Sequence, residues 1–132
     1  MPQLVKGGKW TYGWVLVGMD RLIIIPPQAW QEYGFRAGDE AIFFSGSRRS
    51  GGFALSYPAR IVRSKIPLDS RIIARGVFGE GSTLLPPEIN VQPGTCLLVV
   101  RGSGLALGMI EKGPIFEEAL QHPDLLIFGQ AA

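Results

Sequence analysis

Leu22-Ile23-Ile24-Ile25-Pro26-Pro27-Gln28 is the stretch on which the fold turns, because Ser82-Thr83-Leu84-Leu85-Pro86-Pro87-Glu88 answers it at an offset of 60, Pro26 to Pro86. Proline has no N–H for a strand ladder and holds a helix-compatible φ, so each Pro-Pro pair ends a strand and suits the first turn of a helix. Working outward, Arg36-Ala37-Gly38-Asp39 answers to Gln92-Pro93-Gly94-Thr95 at an offset of 56, Gly38 to Gly94. The run Ala41-Ile42-Phe43-Phe44 matches Leu97-Leu98-Val99-Val100 at the same offset, and so does Gly46-Ser47 with Gly102-Ser103. Phe53-Ala54-Leu55 then answers to Leu105-Ala106-Leu107 at an offset of 52, Phe53 to Leu105. The first offset change falls between Pro27 and Gly38, where the first copy has room for about two helical turns and the second for a single turn. The second falls in the loop Ser47-Arg48-Arg49-Ser50-Gly51-Gly52. Insertions confined to helix ends and loops are what a structural repeat produces.

Each copy therefore reads as an apolar strand ending at Pro-Pro, a short helix or turn, a glycine turn, an apolar strand, a Gly-Ser hairpin and a return strand. Residues 9–17 and 60–66 read as the leading strands of the two copies, and residues 71–77 as a further strand. The segment 114–121 has helical character, with Glu117 and Glu118 placed early, where the helix dipole favours acids. Residues 125–128 read as a last strand. The expectation is one domain over 1–132, with repeat 1 at about 9–58, repeat 2 at about 60–111 and a C-terminal helix and tail at 112–132.

The totals agree with a mostly β protein. Of 132 residues 46% are apolar, enough to bury a core, and 18 Gly with 10 Pro supply many tight turns. The formal charge of +2 does not announce a nucleic-acid partner. Cys96 is the only cysteine, as expected in a reducing compartment, and its place before Leu97-Leu98-Val99-Val100 reads as a buried structural thiol. The N-terminus lacks the apolar core of a signal peptide, and no apolar run approaches the ~20 residues that span a bilayer. A cytoplasmic location without membrane contact is expected. His122 is the only histidine, so the usual zinc ligand sets cannot be assembled. No nucleophile elbow or phosphate loop is present, and the chain reads as a non-enzyme without cofactor, metal or identifiable small-molecule ligand.

The residues Leu22 to Pro26, Ala29-Trp30-Gln31-Glu32-Tyr33-Gly34-Phe35 and Arg36-Ala37-Gly38-Asp39-Glu40-Ala41-Ile42 resemble the AbrB/MazE/SpoVT family of swapped-hairpin β-barrels. The resemblance covers about 12–57 in the first copy and, more faintly, 72–110 in the second. It implies two units interleaving their hairpins into one closed barrel, a tandem pseudo-twofold arrangement with short helices, closed either within a single chain or by exchange between two chains. It also implies a DNA-binding transcription regulator whose contacts come from basic residues near the Ile-Pro hairpin and on the short helix. At the place of the family's arginine, four residues before the proline, this chain has Leu22, with Arg21 one place earlier and Ser82 in the second copy. The basic residues common on the helix are replaced by Trp30 and Gln31.

Three groups of residues are candidates for function. Arg48 and Arg49 on the Gly/Ser loop either contact phosphates or keep a hairpin tip solvated. Arg60, Arg63 and Lys65, with Arg71 and Arg75, either form a basic strand face for DNA or protect an edge strand. Trp10, Tyr12 and Trp14 alternate along the first strand, so they share one face and serve a core or a homodimer interface. Trp30 and Tyr33, three apart, form an aromatic patch on the short helix. The DNA-binding set is thus Arg21, Arg48, Arg49, Arg63 and Lys65, contacting double-stranded DNA mainly through phosphates. The alternative is an oligomeric interaction or assembly module without DNA binding, which the near-neutral charge favours.

Overall fold

Proline and glycine punctuate the chain as expected. The computed structural model describes residues 2–4, 10–62, 71–102 and 105–129. The β-branched and aromatic runs form strands β1 (Thr11–Leu16), β2 (Leu22–Ile24), β3 (Glu40–Ser45), β4 (Phe53–Ser56), β5 (Ile72–Val77), β6 (Ser82–Leu84), β7 (Cys96–Arg101), β8 (Leu107–Ile110) and β9 (Ile127–Phe128). Short helices α1 (Pro27–Tyr33), α2 (Pro58–Val62) and α3 (Pro114–Ala119) each begin at a proline, a residue that costs nothing where the N–H has no intrahelical partner. Helix α1 ends at Gly34, whose φ of 75° lets its N–H reach the carbonyls of Gln31 and Trp30. Among the described residues no helix is long and apolar enough to cross a membrane.

The protein is mostly β. Seven strands form one mixed sheet in the order β5-β3-β4-β8-β7-β1-β9, and β2 and β6 form a separate two-stranded ribbon. The closed barrel expected from the sequence is not formed: β5 and β9 are the two outer strands of an open sheet. The pairing is crossed between the halves of the chain. Strand β1 pairs with β7, while β5 pairs with β3. Leu16 faces Cys96 as Val77 faces Glu40, and Trp14 faces Leu98 as Arg75 faces Ile42. Both ladders slip at the same place, between Thr11 and Gly13 in one and opposite Phe43 and Phe44 in the other. The turns match too: Gly94 N–H donates to the Val17 carbonyl and Gly38 N–H to that of Phe78, both at 2.8 Å. In the centre, Ala54 faces Gly108 and Ile23 faces Thr83, so exchanging the halves returns both pairings to themselves.

Four expectations are corrected by these registers. The leading strand of the second half is β5, not residues 60–66. Pro58 instead starts a helix, and residues 63–70, with Arg63 and Lys65, lie outside the described residues. The return strands correspond at an offset of 54 rather than 52, because Phe43 faces Leu55 while Val99 faces Met109. Trp10, Tyr12 and Trp14 do not share a face. The slip at Tyr12 is a β-bulge, and an extra residue reverses the alternation beyond it. Cys96 is exposed, since it is the first residue of β7 and burial begins at Leu97.

The core lies between one face of the sheet and the β2–β6 ribbon. Tyr12, Val15, Phe43, Phe53, Leu97 and Met109 meet Ile23, Ile25 and Leu85 there, with Tyr33 and Phe35 from the α1 region. A second, smaller cluster on the opposite face joins Trp14, Leu98, Val100 and Ile110 to Ala119 of α3. Trp14 meets Phe116 edge-on at 5.1 Å between ring centroids, a favoured aromatic geometry.

Gly13 binds the bulge to the last strand. Its φ is 140°, and a Cβ there would stand 2.7 Å from the Leu126 carbonyl oxygen, which accepts the Trp14 N–H at 2.8 Å. Gly13→Ala therefore has neither the backbone freedom nor the space it needs. Urea denaturation of this variant is expected to show a loss of about 2–3 kcal/mol; a loss below about 0.5 kcal/mol, the surface-substitution range, would show that β9 is not held in this register.

Candidate nucleic-acid interface

The basic residues separate by what their guanidinium groups touch. Arg21 is the only described non-glycine residue with positive φ, at 67°. Its counterpart at the 60-residue offset is Gly81, with φ 66°. The two positions do the same backbone work: the Gly81 carbonyl accepts the Ile25 N–H at 2.8 Å and the Arg21 carbonyl the Leu85 N–H at 3.0 Å. A left-handed backbone costs an ordinary residue roughly 1–2 kcal/mol, so a compensating interaction is expected at Arg21. It is supplied by the guanidinium, which donates from Nη1 to the Val91 carbonyl (2.7 Å) and from Nη2 to those of Pro86 (2.9 Å) and Ile89 (2.6 Å). The second half has only a turn where the first has α1, and Arg21 binds three carbonyls of that turn and its exit. The arginine that the family resemblance assigns to DNA is thus a structural clamp across the halves.

Arg60 lies in α2, with its guanidinium carbon 5.3 Å from the Tyr33 ring centroid and 5.5 Å from that of Tyr57. Its Nη2 donates to the Tyr33 carbonyl at 2.7 Å. Arg75 pairs with Glu40, and Arg101 Nη2 lies 3.3 Å from Glu32 Oε2. The Trp30–Tyr33 patch is part of an aromatic cluster with Phe35 and Phe78 rather than a free platform.

Arg48 and Arg49 are placed differently. Both are exposed, and neither has a carboxylate partner among the described residues. Their loop is nonetheless fixed. Gly46 N–H donates to the Gly52 carbonyl (3.3 Å), Gly51 N–H to that of Ser47 (2.8 Å), and Ser50 N–H to Ser47 Oγ (3.1 Å). The Ser50 carbonyl in turn accepts the N–H groups of Glu111 (3.0 Å) and Lys112 (3.1 Å), just before α3. Gly51 is required at its position, since a Cβ would run into the Glu111 side chain and φ is 65°. The loop is a fixed mount for two outward cations, with Lys112 and the Glu111 carboxylate beside it.

Trp10 is exposed at 43%, while Tyr12 and Trp14 are buried within the chain, so the three do not form one exposed aromatic stripe. Tyr12 has another task. Its hydroxyl donates to Glu32 Oε2, linking β1 to α1, and Arg101 joins Glu32 from β7. Burial, then the hydrogen bond to Glu32, pushes the Tyr12 hydroxyl well above the ordinary tyrosine range. The same hydrogen bond holds the Glu32 carboxyl below its usual value. Burial also raises Tyr33.

Among the described residues no three His, Cys, Asp or Glu side chains gather to hold a metal; His122 Nε2 lies 3.1 Å from Glu118 Oε1 on the α3 flank. Comparison with protein-family models, curated proteins and solved structures finds no match for this chain.

Two outcomes test these assignments. Arg21→Ala removes three bonds from a charged donor, and stability measured in urea should fall by about 2 kcal/mol or more. Arg21→Gly also loses the bonds but relieves the left-handed backbone, and should be about 1 kcal/mol more stable than Arg21→Ala. Equal stability of the parent and both variants would remove the clamp. For Tyr12, the raised hydroxyl stabilises the fold below about pH 10, the unfolded tyrosine value, and that contribution is lost as pH rises beyond it. The depressed Glu32 contributes above about pH 4, and its share is lost as pH falls through the folded value. Tyr12→Phe should flatten stability against pH at both ends, leaving the Tyr33 contribution at the alkaline end. An unchanged profile would break the Tyr12–Glu32 link.

Proposed function

We propose that this chain is a non-enzymatic, AbrB-like double-stranded-DNA-binding regulator that contacts phosphates through Arg48 and Arg49. In this reading the crossed pairing of β1 with β7 and of β5 with β3 does within one chain what hairpin exchange between two chains does in that family. The observation that carries the proposal is a pair of adjacent exposed arginines, unpartnered among the described residues, on a hairpin tied down by five hydrogen bonds. A fixed backbone lowers the ordering cost of presenting both cations to a phosphate strand, and such contacts position a protein on DNA without reading its sequence. Arg63 and Lys65 belong to the same proposal by sequence alone. The second reading, an interaction module without DNA binding, is favoured by the engagement of Arg21 with backbone carbonyls and of Arg75 and Arg101 in surface ion pairs.

Fluorescence anisotropy with labelled duplex fragments at two salt concentrations separates the readings. DNA binding through phosphates predicts affinities on the order of 10⁻⁴–10⁻⁶ M for unselected sequence and a log–log salt slope of about −0.9 per contact. Arg48→Ala/Arg49→Ala should weaken binding to all duplexes alike and make the slope shallower, with stability unchanged within about 0.5 kcal/mol. If the parent does not bind even at low salt, the interaction module takes the regulator's place. If the double variant binds as the parent does, the hairpin is a solubilising tip.

A further inference from the structure

The sheet is thin where the two halves meet. Phe53, Leu55, Leu107 and Met109 point into the main core, so by strand alternation Ala54 and Gly108 face the other side. They are paired with each other, which sets two of the smallest residues side by side at the centre of the outer face. Phe44 stands next to Ala54 and Val100 next to Gly108. Helix α3 packs over the β7 side of that face, and the centre is left as a hollow of about 360 Å³ walled by Phe44, Leu105 and Ile110 among others. That volume lies within the range of small-molecule sites, about 300–1,000 Å³.

Part of the rim is polar. It carries Ser47, Ser50 and Arg71. Arg71 is exposed and has no carboxylate partner among the described residues. Ser47 Oγ accepts the Ser50 N–H at 3.1 Å, and its O–H remains able to donate to a ligand. Apolar walls with one guanidinium and the hydroxyls of Ser47 and Ser50 at the edge suit an apolar body bearing a single negative charge. A cation meets no carboxylate among the lining residues, a neutral hydrocarbon leaves the donors unused, and a polyphosphate meets an apolar floor.

We infer that this hollow is a binding site for a small amphipathic carboxylate, its apolar body on Ala54 and Gly108 and its carboxylate on Arg71 and Ser47. The site uses none of Arg48, Arg49, Arg63 and Lys65 and stands whether or not the protein binds DNA. The test is titration of the full chain with 4-phenylbutyrate and, at matched ionic strength, with 4-phenylbutylamine, followed by amide chemical shifts. The acid should give saturable shifts at Ser47, Ala54 and Gly108, and the amine should not. Arg71→Gln, an exposed change that leaves the fold intact, should weaken the acid roughly tenfold, the scale of one lost charge-assisted contact. Ala54→Leu should abolish the saturable shifts while the remaining spectrum stays that of the folded parent. If Ala54→Leu perturbs folding, Arg71→Gln alone carries the test. Equal binding of acid and amine, no saturable shift with the acid, or an Arg71→Gln variant that binds the acid like the parent would each overturn the inference.

Discussion

Everything in this molecule depends on the crossed pairing of its halves. The leading strand of each half lies against the third strand of the other, β1 on β7 and β5 on β3. The inner return strands β4 and β8 then pair at the centre, and β2 joins β6 in the covering ribbon. Neither half completes a sheet by itself, and the buried faces of β3 and β7 are shared property. Long-range pairing of this kind is slow to form, since loop closure must precede the contacts that reward it. In return, the same registers recur in both halves, down to the bulge at Tyr12 and its counterpart at Ile73.

On this near-symmetric frame the side chains are asymmetric. Where one half has Gly81, the other has Arg21, held in a backbone conformation that suits glycine and clamped to three carbonyls of the opposite half. Where one half has a helix with its own glycine cap, the other has the turn that Arg21 binds. The first hairpin is long enough to carry Arg48 and Arg49, and its base forms part of the wall of the central hollow. Arg60, Arg75 and Arg101 bind carboxylates, a carbonyl or aromatic rings within the chain. A modest net charge is thus compatible with a local pair of available cations.

The strands on either side of Gly38 and Gly94, the Pro-Pro stops and the terminal helix were legible in the sequence, because proline and glycine act locally and β3 and β7 are continuous apolar runs. Four features were not legible, for physical reasons. A β-bulge has no side-chain signature, so the parity of Trp10, Tyr12 and Trp14 was read as unbroken. Helix α2 is five residues long, too short for periodicity, and only Pro58 hinted at it. The similarity of Phe53-Ala54-Leu55 to Leu105-Ala106-Leu107 hid a hairpin register two residues further on, at Leu107. Whether a sheet closes depends on curvature accumulated over all its strands, which no local pattern carries. The exposure of Arg48 and Arg49 could be read from their Gly/Ser surroundings, whereas the roles of Arg21 and Arg60 depend on partners distant in sequence. The small pair Ala54–Gly108 becomes meaningful only once pairing sets the two residues side by side.

The interdependence of the halves can be measured by native-state hydrogen exchange on the whole chain, resolved by residue. If the crossed pairing unites the fold, the slowest amides of β1 and β7 and those of β3 and β5 open with one common free energy, equal to that of global unfolding in urea. If one of the two ladders opens at a clearly lower free energy while the other keeps full protection, the halves are separable units and the crossed pairing does not hold the fold together.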